Sequence, residues 1–266
     1  MKARAIALVL AAACASEPSP TAMAPAAAPI ELPAAIRPIP ADRDGVLHEL
    51  APLPAPAVVV VYDVTGPAGL TGTLEVLAAP GGRRRENWAL RLPVDGRDHD
   101  LRGSKVRTPD VVWQAPDGAT GRLVPARLGA IADAIVDLDP TTRTKVIELV
   151  RAWRSELEDA RREHPGTVET IAGEPCVRVP VGTGEVCTWE ATGLPLRYES
   201  STFALVARHI DRTSVLGASA FAIPLGAERL AAPPFDVLDR VAAVARGDRS
   251  AIADLVLADE LPGFAP

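Results

Sequence analysis

From residue 57 onward, apolar and polar positions alternate in ways that predict strands. Residues 57–64 are apolar at almost every position and rich in β-branched side chains, the pattern of a strand covered on both faces. After the turn Gly66-Pro67-Ala68-Gly69, Leu70, Gly72, Leu74 and Val76 alternate with Thr71, Thr73 and Glu75, which predicts a half-buried strand. Pro80-Gly81-Gly82 predicts the next turn, and Trp88, Leu90 and Leu92 then alternate with Asn87, Ala89 and Arg91. Asp95-Gly96 is a two-residue hairpin signal, and residues 101–107 and 110–114 complete an expected antiparallel meander of about five strands.

The period then changes to that of a helix. Leu128, Ile131, Ile135 and Leu138 have helical spacing, and Asp139-Pro140 predicts an N-cap followed by proline at the first helical position. Val146, Leu149, Val150, Trp153 and Leu157 form one apolar stripe over residues 141–163. The other face carries Arg154 with Glu158 and Glu158 with Arg162 as i,i+4 pairs, and His164-Pro165-Gly166 stops the helix. Strands resume at Thr167. Residues 175–181 and 185–190 read as a hairpin across Gly182-Thr183-Gly184, Leu194, Leu196 and Tyr198 alternate with their neighbours, and a long strand is expected over residues 203–215. Beyond Pro233-Pro234, Val237, Leu238, Val241 and Ala245 share a helical face, Gly247 terminates it, and Ile252, Leu255 and Val256 suggest one more short helix. The expected division is a leader over residues 1–13, a Pro/Ala-rich tether over 14–56, a β domain over 57–230 with a helical insertion at 126–163, and a helical tail over 231–266.

Lys2 and Arg4 precede an apolar run from Ala5 to Ala13, too short to span a bilayer, which takes roughly 20 residues, but suited to the apolar region of a secretory signal. Leu10-Ala11-Ala12-Ala13-Cys14 resembles the lipobox of bacterial lipoproteins, with Ala11 departing from the usual Leu, one place off. The resemblance implies removal of residues 1–13 and attachment of lipid to the Cys14 thiol. The alternative is an ordinary cleaved signal with Cys14 free. Either reading puts the protein outside the cytoplasm, with a membrane as its partner in the first. The tether composition favours extended polyproline geometry over a helix of any length, with one or two helical turns possible at Val46-Leu47-His48-Glu49-Leu50.

Removing Lys2 and Arg4 with the leader takes the formal charge from −6 to −8. An acidic chain argues against a nucleic-acid partner, for which a basic stripe is expected. No phosphate loop, dinucleotide fingerprint or paired metal spacing occurs, so neither cofactor nor metal is expected. Asp95, Asp98, His99 and Asp100 fail the spacing of a calcium loop and read as an exposed hairpin turn. Ser104 near His99 and Asp98 invites a triad reading, but closeness in sequence does not supply triad geometry, and no enzyme activity is expected. Arg83-Arg84-Arg85 suits anionic lipid headgroups or, more simply, a solvated strand end beside a turn. Cys176 and Cys187 are an even pair in an oxidising compartment. A hairpin centred between Val181 and Gly182 would set them directly opposite, with Cα atoms about 4.5 Å apart, at the short end of the disulfide range.

The local text Gly173-Glu174-Pro175-Cys176-Val177-Arg178-Val179, Gly184-Glu185-Val186-Cys187-Thr188-Trp189, Thr192-Gly193-Leu194-Pro195-Leu196-Arg197 and Phe221-Ala222-Ile223-Pro224 resembles the LolA-like superfamily of envelope proteins. Strands, a helical insertion and further strands follow in the order of that family. The resemblance implies an α+β fold: a strongly curved antiparallel sheet, or half-barrel, with the helical insertion packed over its concave side and a small C-terminal helical tail. Taken with the lipobox at Cys14, it implies a lipid-anchored envelope lipoprotein facing the periplasm from the outer membrane, a departure from the family's soluble carrier. The sheet and helical lid would bind an acyl chain or lipid through Val146, Leu149, Trp153, Trp88 and Leu90, assisting lipid or lipoprotein transport or sensing. The alternative is a structural or assembly-partner lipoprotein with a filled core, offering a surface to another envelope protein.

Overall fold

Val58, Val60, Tyr62 and Val64 point to one side of strand β1 (Val58–Thr65) and are all buried, while Asp63 and Thr65 on the other side are exposed. The computed structural model describes residues 39–53, 57–117, 119–163, 166–181, 184–189, 192–201, 203–231 and 235–256, apart from the side chains of 160–162. The leader, Cys14 and most of the expected tether lie outside the described residues.

β1 sits inside one large sheet. On one side it pairs with β2 (Thr71–Ala79), followed by β3 (Arg83–Val94), β4 (Arg97–Arg107), β5 (Val111–Pro116) and β6 (Arg122–Pro125). On the other it pairs with β11 (Ala204–Asp211), followed by β10 (Pro195–Glu199), β9 (Gly184–Trp189), β8 (Glu174–Val181) and β7 (Thr167–Ile171). The two-residue β12 (Glu228–Arg229) joins β6 in parallel, and every other pairing is antiparallel. The Asp95-Gly96 hairpin forms as expected, both residues having positive φ (52° and 73°), as a type I′ turn demands. The sheet curves enough to bring β7 back against β11, four places away in strand order, yet its ends do not pair. The class is therefore α+β with an open, curved, antiparallel sheet.

Helices α1 (Arg43–Leu50), α2 (Arg127–Val136), α3 (Pro140–Glu163), α4 (Val237–Arg246) and α5 (Ser250–Val256) share one apolar core. It contains Val46, Leu47 and Leu50 of α1, Ile131 and Ile135 of α2, Val146, Ile147 and Val150 of α3, and Val241, Val244, Ile252 and Leu255 of the last two. Asp139 caps α3 as expected, its carboxylate accepting from the Thr141 and Thr142 amides at 3.1 Å. Gly247, at φ 97°, ends α4. This unit meets the sheet at its turns. Leu128 lies against Gly82 in the β2–β3 turn, and Arg43 ion-pairs with both Asp133 of α2 and Asp110 in the β4–β5 turn.

Two details differ from expectation. The apolar stripe of α3 closes on other helices, and no sheet residue belongs to that core among the described residues. An apolar stripe must be buried, but its sequence does not say against what. Leu157, the last member of the expected stripe, is 40% exposed. The one or two helical turns expected at residues 46–50 within the tether form as α1, fixed by its buried face and by Arg151 of α3, which pairs with Glu49 at 2.6 Å. Finally, the expected long strand at 203–215 stops at Asp211. The Asp211 carboxylate accepts from the amide and hydroxyl of both Thr213 and Ser214, and these hydrogen bonds hold it well below the usual carboxylate range.

Candidate functional site

Strand register assigns four cross-strand rows to the face that carries Val60. Val58, Ala78, Arg84, Arg107 and Val112 form the first row, and Val60, Val76, Glu86, Lys105 and Gln114 the second. Tyr62, Leu74, Trp88 and Gly103 form the third, and Val64, Gly72, Leu90 and Leu101 the fourth. The β1 and β2 residues of the first two rows share a core with Trp189, Leu194, Leu196 and the cystine from the curled-over half, which identifies this face as the concave one. Leu53, just after α1, packs onto the same core. The opposite face of β2–β6 has its own cover. There Ala79, Val106, Trp113 and Ala115 pack with Phe221 of the 3-10 turn Ala218–Phe221.

The concave face is apolar toward its third and fourth rows. Leu90 is buried with Val64, Leu70, Leu92 and Phe203, while Leu74, Trp88, Leu101, Tyr198 and Leu205 pack there but remain partly exposed. Gly103 is required by the indole. A Cβ at this position would come within 2.3 Å of the Trp88 ring, so only glycine lets Trp88 lie across β4. Tyr62 donates its hydroxyl to the Pro195 carbonyl at 2.7 Å. Burial pushes its phenol up to about 12.

Toward the first two rows the face becomes charged on β3 and β4. Arg84 stands opposite Arg107, and Glu86 stands opposite Lys105. Arg84 Nε lies 2.8 Å from Glu86 Oε1, close enough for an ion pair but without hydrogen-bond alignment, and the two side chains are only 35% and 24% exposed. Burial alone would raise the Glu86 carboxyl, but the fields of Arg84, Lys105 and Arg107 outweigh it and hold the group below its ordinary value.

The expected site residues fall into separate places. Val146, Leu149 and Trp153 belong to the helical core, Val146 with no exposed surface, whereas Trp88 and Leu90 belong to the concave face. The two groups are not brought together. Strand alternation divides the arginine triplet: Arg84 joins the concave face, while Arg85 on the opposite face donates to Asn87 and to the Ala220 carbonyl. Alternation also sends Ser104 and His99 to opposite sides of β4, so they do not approach as a nucleophile and base would. Among the described residues no group of His, Cys, Asp or Glu is placed to hold a metal ion, and no helix is long and apolar enough to cross a membrane.

Cys176 and Cys187 form a disulfide with Cα atoms 5.4 Å apart. The register differs from the expected one: Val181 faces Gly184, so Cys187 lies opposite Arg178 and Cys176 opposite Trp189. The cystine thus joins a diagonal pair, two residues from direct opposition. Lys105 and Arg107 were not legible as site residues. Their spacing marks one strand face, but only register reveals that this face is shared with Arg84 and Glu86.

Fold and site together define an α+β protein with an open curved sheet, a two-natured concave face and a separate helical core. No protein-family model matches the chain, and no curated protein matches it. A solved structure of MucB matches with a TM-score of 0.33 at 15% sequence identity, covering 70% of this chain and 64% of that chain. The chain therefore spans slightly less than two-thirds of the MucB chain, and so weak a likeness bears on neither activity nor partners.

Proposed function

We propose that this chain is a non-enzymatic envelope lipoprotein, anchored through Cys14, whose concave sheet face binds an acyl chain or lipid. The observation that carries the reading is the partial exposure of Leu74, Trp88, Leu101, Tyr198 and Leu205 within an otherwise buried apolar face. A stable fold gains by covering such side chains, at roughly 25 cal/mol per Å² of apolar surface removed from water, and an acyl chain along the sheet would supply that cover. The LolA-like resemblance of the strands around Cys176 and Cys187 supports the same reading, as does the leader for export. Trp88 and Leu90 are the ligand-face residues of this proposal. The helices act as a fixed support at one end of the sheet, since the α3 stripe is already occupied by its neighbours.

That filled helical core favours the assembly-partner reading as the second one, with a helical surface presented to another envelope protein. Native mass spectrometry of the exported Cys14→Ser chain separates the two. The lipid reading expects co-purified lipid that is reduced in Trp88→Ala. Wild-type-like protein devoid of lipid, and unable to take up a short-chain phospholipid, would overturn it in favour of the second.

A further inference from the structure

The partly exposed apolar side chains of the concave face are confined to a narrow strip. On β4 that face reads Lys105, Gly103, Leu101 and His99, so polar side chains border two apolar positions. Gly103 itself lies under the Trp88 indole, which crosses from β3 and stays partly exposed. On β1 and β2 the rows beside the strip are closed, because Val58, Val60, Val76 and Ala78 are buried against Trp189 and Leu196. The strip therefore keeps to the third and fourth rows, which alternate residues place about 7 Å apart. Its long dimension crosses the strands. Leu101 on β4, Trp88 on β3 and Leu74 on β2 lead to Leu205 on β11 and to Tyr198, directly opposite it on β10, all in one apolar cluster. From β4 to β10 is five strand spacings, roughly 24 Å along the curve.

We propose that the concave face takes a single-chain amphiphile, its one alkyl chain laid across the strands from Leu101 to Tyr198, in preference to a diacyl lipid. This inference deepens the acyl-chain reading and rests on it. A long, narrow apolar strip covers one extended chain along its whole length. A second chain beside the first finds no apolar surface to cover: it meets the filled core on β1 and β2 and the polar borders on β4. Its methylenes would stay in water, and each forgoes the burial that favours binding. Shortening the strip at one end should therefore penalise long chains more than short ones, which general damage to the fold would not do.

The test uses the exported, delipidated Cys14→Ser chain and calorimetric titration with four lipids below their micellar concentrations: octanoyl, decanoyl and dodecanoyl lysophosphatidylcholine, and dioctanoyl phosphatidylcholine. All share a headgroup, and the diacyl lipid carries more acyl carbon than any of the others, so unselective hydrophobic uptake would favour it. The dodecanoyl lysolipid should bind about tenfold or more tightly than the dioctanoyl lipid, and each methylene removed from the single chain should weaken binding by up to about fourfold. Leu101→Asn should erase most of the gain from octanoyl to dodecanoyl while leaving octanoyl binding nearly unchanged. If the dioctanoyl lipid binds as tightly as the dodecanoyl lysolipid, or if Leu101→Asn weakens all chains alike, the single-chain site is wrong and the lipid reading stands. If none of the four binds, both fall.

Discussion

At Glu86, burial and charge act in opposite directions, and charge prevails. A carboxyl held below its unfolded value stabilises the fold above the unfolded pKa of about 4.3, and that contribution is lost as pH falls through the lower, folded value. Acid melting of the chain should therefore steepen below about pH 4, and Glu86→Gln should lack that component. At neutral pH the same substitution removes the carboxylate that Arg84 pairs with and should cost about 1–2 kcal/mol, less than a fully buried pair because the side chain retains some exposure. Thermal melts of both proteins between pH 7 and pH 3 check this, and parallel pH profiles would contradict it. The cystine makes a second test at the same scale. It closes a short loop (sequence separation 11) and joins buried residues, so reduction should lower stability by roughly 3 kcal/mol without abolishing the fold. Urea melts with and without reductant measure the change.

Among the elements, α3 shows how a pattern can be read correctly while its meaning stays open. Its start, cap and length follow from Asp139-Pro140 and the stripe of Val146, Val150 and Trp153. Its partners do not, because α1, α4 and α5 come from distant parts of the chain and a stripe carries no address. Trp153→Ala should thus behave as a core truncation, costing about 3 kcal/mol, the low end for tryptophan because the ring is only partly buried. Lipid retained by the protein should not change. Urea unfolding alongside lipid counted per protein decides it, and loss of lipid with unchanged stability would restore α3 as a lid. The strands were legible for a different reason: alternation fixes which residues share a face, and both the Asp95-Gly96 turn and the end of α4 at Gly247 are dictated by backbone chemistry. Register was less legible. The 176–187 hairpin is displaced from the expected register, and the Arg84–Arg107 pairing that makes the charged site depends on register alone.

At the scale of the molecule, the sheet and the helical unit keep separate apolar cores and meet around the β2–β3 and β4–β5 turns. In the proposed arrangement the lipid on Cys14 holds this body at a membrane through the segment preceding α1. Cys14→Ser should release the chain into the soluble fraction while leaving its melting temperature unchanged. Fractionation and labelled fatty-acid incorporation check this. A variant that still sediments with membranes, from a wild type that takes up no label, would exclude the anchor.

The position of β1 has a kinetic consequence. On one side Val60 meets Val76, available within a local hairpin, but on the other it meets Ile210, contributed by almost the far end of the sheet sequence. The seam between β1 and β11 is thus a contact of very high order, closed late and slowly, because the chain between them must be ordered before the pairing rewards it. During synthesis, which delivers the N-terminal meander first, β1 waits with one edge unpaired and its run of four valines facing whatever is near. Such an edge is a template for another copy of the same strand. Crowded nascent chains would therefore misassociate first at residues 58–65, and a factor that shields this one edge until residues 204–211 arrive would raise the yield of folded protein more than any gain in final stability.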